Sequence, residues 1–199
     1  MPRQIPSTCL PWLIYRSLAL SSIKQELKQI AECNRILEAA LASQLKSEVS
    51  SSDSRYGHLT LRSDRYYATL RRYDALFPGM VRSSLFLSCY ALVEARLDEL
   101  CFHLQECCDL RVSPADLRDK GLTRARIYIA KVAGMRFPSN SKSWDTIQKL
   151  GRIRNLLAHA QGQVKDARER HTIAVLGTAR PGAVTLDGRL GTGTPFREA

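Results

Sequence analysis

The stretch Leu85–Leu104, LFLSCYALVEARLDELCFHL, decides the fold class. With its flanks from Val81 to Leu110 it places an apolar residue every three, four or five positions, at Leu85, Cys89, Leu92, Leu97, Leu100, Leu104 and Cys108. That is the spacing of one helix face, not the alternation of a strand, and it marks the central, most buried helix of a bundle. The same period recurs on either side. Ser21 to Lys46 sets Ile23, Leu27, Ile30, Leu37, Leu41 and Leu45 against Lys, Glu and Gln, a long amphipathic helix. A serine-rich loop follows from Ser47 to Gly57, then a shorter helix over Leu61–Phe77 that Pro78 and Gly79 stop. Ser113 before Pro114 is an N-cap with proline at the first helical position, and Leu122–Gly134 is a basic helix anchored by Ile127 and Ile129. A polar loop, Pro138–Lys142, leads into a last helix carrying Ser143, Trp144, Ile147, Leu150, Ile153, Leu157 and Ala158, which Gly162 ends.

After Arg170 the pattern changes. His171–Thr178 and Ala183–Leu190 are rich in Val, Thr, Leu and Ile, with Pro181-Gly182 and Asp187-Gly188 as turn signals, so the end reads as a small β-hairpin or a flexible tail. The expected organisation is an all-α antiparallel bundle with this C-terminal β appendage. Residues 1–60 form an N-terminal helix and linker, part of the bundle or packed on it; 61–165 are the helical core; 166–199 are the hairpin or tail.

The chain has 199 residues and a formal charge of +11, and the charge is unevenly placed. Residues 1–110 carry a net +1 and residues 111–199 a net +10. Such asymmetry points to a polyanion, nucleic acid before anionic membrane, with a merely solvated basic surface as the bland alternative. Arg16 and Glu94 interrupt the most apolar runs short of the roughly 18 to 20 unbroken residues of a membrane span. Pro6, Pro11 and Arg16 break the apolar region of a secretory signal. The expectation is a cytoplasmic chain with no membrane partner. Six cysteines form no CxxC pair, and four lie in the central helical pattern, so they read as reduced core residues. His103 and Cys107 are four apart but have no companion ligand pair, and no metal or cofactor is expected.

Phosphate-loop, nucleophile-elbow and zinc-protease motifs are absent from the sequence. One string stands out: Arg154-Asn155-Leu156-Leu157-Ala158-His159. Given this composition, an Arg followed directly by Asn and five residues later by His is expected by chance only about 0.007 times. Asn155 and His159 are four apart and share a helix face, so the amide can bond the imidazole and fix its tautomer. Arg154 lies roughly 100° to 140° away around the helix, yet its long side chain can bring a guanidinium to the same phosphate. An acid/base beside an anion clamp suits RNA cleavage by the RNA's own 2'-hydroxyl. The bland alternative is a helix-terminal His near the C-terminal dipole with an ordinary surface Arg.

This string resembles the hallmark of the HEPN domains, an Arg, a polar residue and a His on the last helix of an α-helical bundle. The likeness extends through Leu85–Leu104, RIYIAKVAGMRFP (126–138) and WDTIQKLGRIRNLLAH (144–159), and so covers Val81–Gly162. The resemblance implies a homodimer through the helix bearing Arg154 and His159, with a composite, metal-independent ribonuclease site that also uses Asn155. It implies a toxin or antiviral defence setting with an antitoxin or defence-system partner, although the Tyr some family toxins carry two residues after the His is Gln161 here. Glu94 either orients Arg154 or His159 or sits on a solvated face beside Arg96, Asp98 and Glu99. Arg124, Arg126, Lys131 and Arg152 are the expected RNA-binding cations, while Tyr128 and Trp144 are either base-stacking or core aromatics. The rival reading is a non-catalytic RNA- or nucleotide-binding or dimerisation module of the same fold.

Overall fold

The serine-rich run after Lys46 is helical in the structure, a computed structural model that describes residues 10–56, 67–68, 70–160, 171, 173–174, 184–185 and 189–190. Helix α1 spans Leu10–Tyr56, so the amphipathic helix continues through the segment expected as a loop. The hydroxyls explain part of this. Ser51 Oγ donates to the Glu48 carbonyl at 3.0 Å, and Gln44 Nε2 donates to the Glu48 carboxylate at 3.1 Å, so polar groups that compete with the backbone elsewhere are satisfied within the turn.

Pro78 and Gly79 do not stop a helix either. Arg71–Leu76 is π-helical and runs directly into α2, Phe77–Cys107, which places Pro78 in the first turn of α2. Inside a regular helix a proline ring collides with the carbonyl four residues earlier. Here the turn ahead of it is wider, closed by the Phe77 N–H donating to Arg72 O.

The expectation that α2 is the most buried helix holds only around Cys101 and Leu104, which are buried; Leu85, Cys89, Leu92, Leu97, Leu100 and Cys108 are half-buried. Arg71–Cys107 is also long and apolar enough to cross a membrane by length and composition, with a mean hydropathy of 1.4 over one 18-residue window. The sequence expectation rested on unbroken runs, whereas a windowed average absorbs an isolated charge. Charged residues of α2 take partners on other helices. Arg82 makes a bidentate pair with Glu38 of α1 at 2.5 and 2.6 Å, Arg96 pairs with Glu26 of α1, and Asp98 accepts from Arg124 at 2.5 Å.

The chain divides into two compact units, one of Met1–Gln29 and Cys89–Asp145, the other of Ile30–Ser88 and Thr146–Ala199. In the first, a 3-10 turn at Pro114–Asp116 carries the expected Ser113 cap: Ser113 Oγ accepts from the Ala115 N–H, and Asp116 accepts from the Ser113 N–H. Helix α3, Gly121–Ile127, then passes into a π-helical turn, Tyr128–Val132. The anchors here are Leu122, Ala125, Tyr128 and Ile129; Ile127, expected among them, is only half-buried. Tyr128 is fully buried and its hydroxyl donates to the Val112 carbonyl at 2.8 Å, so it is core and not a base-stacking surface. It packs with Cys101, Leu104, Leu110, Ile129 and Ala133. Burial pushes the Cys101 thiol up to about 12, and its Sγ lies 3.8 Å from the Ala125 carbonyl.

In the second unit, Ile153, Leu156 and Ile173 form the core, with Phe86, Leu150 and Leu157 against it. Ile153 and Leu156 come from α4, Lys142–Ala160. His171, Ile173 and Ala174 are helical, not extended as expected, and Ile173 is buried in this core. β1, Val184–Thr185, pairs antiparallel with β2, Arg189–Leu190, with Val184 opposite Leu190. The Asp187-Gly188 turn expected between them, and Cys9, lie outside the described residues. The five described cysteines are free thiols.

Gly121 opens α3 with φ of +54°, and a Cβ there would meet Glu94 Oε1 at 2.5 Å. Gly121→Ala is expected to lower unfolding free energy by about 1–2 kcal/mol, since a left-handed backbone disfavours any Cβ. Urea denaturation of the two proteins measures it.

Candidate functional site

Ile153 and Leu156 turn inward from α4, and helical geometry sets the remainder. Arg152, Asn155 and His159, at intervals of three and four, occupy the opposite side and are exposed, continuing a stripe begun by the exposed Gln148. His159 stands in the last turn of α4.

Arg154 is half-buried beside this stripe, and its Nη1 donates to Asn155 Oδ1 at 3.0 Å. This bond draws the guanidinium toward Asn155, a residue of the exposed stripe. Asn155 was expected to bond the imidazole; the hydrogen bond it makes among the described residues comes from Arg154 instead. A carboxamide oxygen accepts strongly from a charged donor, and here that donor is the adjacent residue.

The other expected residues belong to the first unit. Glu94 lies in the first unit, its carboxylate against Gly121 at the start of α3. Arg124 Nη2 donates to Asp98 at 2.5 Å, with both side chains about three-quarters covered (25% and 28% exposed), so its charge is spent within the fold. Arg126 keeps a buried Nε with no hydrogen-bond partner, while Lys131 is exposed. Trp144, at 5% exposure, meets Phe137 edge to face with centroids 4.8 Å apart, a core contact. His103 Nδ1 lies 3.8 Å from Glu106, and among the described residues no group of three or more His, Cys, Asp or Glu is placed to hold a metal ion.

Sequence reasoning passed over Arg136, an exposed cation at the rim of a cavity of about 530 Å³. A usable signal existed, since the stretch from Lys120 to Trp144 carries six cations and no carboxylate. No protein-family model, curated protein or solved structure matches the chain.

Removing Arg124 strands a largely covered carboxylate, whereas removing Lys131 strands nothing. Arg124→Ala should cost about 1–3 kcal/mol of unfolding free energy and Lys131→Ala less than about 0.5 kcal/mol. Thermal and urea unfolding of both variants test the contrast.

Proposed function

We propose that this protein is a metal-independent endoribonuclease of the HEPN type that cleaves single-stranded RNA. It acts in the cytoplasm as a homodimer, as a toxin or antiviral defence effector. The observation that carries the reading is the Arg154–Asn155 hydrogen bond, which turns a guanidinium toward the exposed stripe holding His159 one turn further on. The HEPN likeness of the sequence supplies the dimer and the setting.

In the proposed step the RNA 2'-oxygen attacks the adjacent phosphorus, and an imidazole takes the 2'-proton. The P–O5' bond breaks, the leaving 5'-oxygen receives a proton, and a 2',3'-cyclic phosphate remains. Charge gathering on the equatorial phosphorus oxygens is what Arg154 and Arg152 would meet. One His cannot be base and acid in the same turnover step, so a second α4, brought up by a two-fold axis beside Arg154 and His159, supplies the other imidazole. The basic second half holds the RNA, with the exposed Lys131 freer to do so than Arg124, which is paired with Asp98.

Purified protein should cut single-stranded RNA in EDTA and leave 2',3'-cyclic phosphate ends. His159→Ala should lower the rate by about 10²–10⁴-fold, and Asn155→Ala by less. Activity that needs a divalent ion, or that survives His159→Ala, defeats the mechanism. One observation favours the binding module instead: no orienting hydrogen bond to His159 is found among the described residues. Binding without cleavage decides for that reading.

The composite site has its own check. Light scattering should give twice 22.4 kDa, and mixing Arg154→Ala with His159→Ala chains should produce heterodimers whose cleavage differs from both parents. An active protein that stays monomeric at every concentration tested rules the shared site out.

A further inference from the structure

From Lys120 to Trp144 the chain carries Lys120, Arg124, Arg126, Lys131, Arg136 and Lys142 with no acidic residue between them. In that acid-free stretch the loop before α4 borders an open cavity of about 530 Å³, lined by Arg136, Phe137, Pro138, Ser139, Asn140 and Ser141. Its volume lies within the roughly 300–1,000 Å³ of small-ligand sites.

The walls are held by the fold. The Ser139 N–H donates to Phe137 O at 2.8 Å and the Ser141 N–H to Pro138 O at 3.1 Å, while Ser141 Oγ accepts from the Trp144 N–H at 3.1 Å. Phe137 rests edge-on against the buried Trp144. A loop fixed at three backbone amides and one ring is formed before any ligand arrives, which lowers the ordering cost of binding.

Three kinds of group converge here. Phe137 and Pro138 offer an apolar wall, Ser139 and Asn140 offer exposed hydrogen-bonding groups, and Arg136 offers an exposed guanidinium. A ligand matching all three has a flat ring with polar edges and an attached anion. We propose that the loop Arg136–Ser141 is a nucleotide pocket. It takes one nucleotide unit, free or as a residue of single-stranded RNA, with the phosphate on Arg136 and the base against Phe137 and Pro138. The proposal rests on the reading that this protein handles RNA, and it does not depend on cleavage at His159. The guanidinium matches phosphate oxygens in a two-pronged way that an ammonium cannot.

The test titrates full-length protein with adenosine monophosphate and, separately, with a single-stranded oligoadenylate, following tryptophan fluorescence, because Trp144 backs the Phe137 wall. Wild-type fluorescence should change with at least one probe, and Arg136→Glu should weaken that affinity about tenfold or more, as loss of a charge-assisted bond does. Response to both probes marks a pocket for the unit itself; response to the oligonucleotide alone identifies the residue as part of an RNA chain. Asn140→Ala and Arg136→Lys, changes in an exposed loop, serve if Arg136→Glu loses its helical circular dichroism. Arg136→Lys should lie between wild type and the Glu variant. No response from wild type, or Arg136 and Asn140 variants that bind as wild type does, overturns the pocket. Cleavage is read on the same preparations: binding without cleavage defeats the ribonuclease reading and leaves the pocket, whereas cleavage unaffected by Arg136→Glu, with no fluorescence response, does the reverse.

Discussion

Burial of Ile153 and Leu156 is the constraint on which the candidate site depends. A helix offers one direction per residue, at 100° intervals, so fixing two neighbours of a face fixes all others. Once those two side chains pack with Ile173, Arg152, Asn155 and His159 have nowhere to go but outward. Burying two aliphatic side chains contributes about 3–6 kcal/mol, far more than a single exposed hydrogen bond supplies. The display of polar groups on α4 is thus a by-product of apolar packing, and the Arg154–Asn155 bond refines it.

Charge follows a different logic in the first unit. Asp98 and Arg124 face each other across α2 and α3, and Arg96 meets Glu26 of α1 and Glu99 of its own helix, so two cations that look available in sequence are committed within the fold. Those side chains are mostly about three-quarters covered, where Coulomb attraction and desolvation nearly offset each other. Net positive potential is left to residues that escaped pairing with acids, and the stretch from Lys120 to Trp144 holds no acid of its own.

The helical class and the last helix were legible because a 3.6-residue period survives any context: Ile153 stood in the apolar pattern and is buried, Leu157 stood in it and is half-buried, whereas the buried Leu156 was outside it. What escaped was set by tertiary neighbours. Serines at 47–54 read as a loop because their hydroxyls compete with the backbone, yet the helix carries them. Pro78 read as a stop because a wide turn ahead of it leaves no trace in composition. Tyr128 and Trp144 were ambiguous, since an aromatic can stack a base or fill a core; the Val112 carbonyl and the Phe137 ring decided it. No local pattern reveals that Arg124 will meet an acid 26 positions away.

The two π-helical turns, Arg71–Leu76 and Tyr128–Val132, have one more consequence. Each houses an additional residue within what would otherwise be an ordinary turn, so it behaves as a single-residue insertion absorbed without lengthening a loop. Everything after such a turn is rotated by roughly 100° relative to an uninterrupted helix. The second turn lies between the buried Ala125 and Ala133, whose N–H closes it on Tyr128 O, and Tyr128, Ile129 and Ala133 all reach one core. Excising one residue there would rephase Ala133 and Met135 against that core while leaving composition and hydropathy almost untouched. This core is therefore sensitive to chain length as well as to chain chemistry.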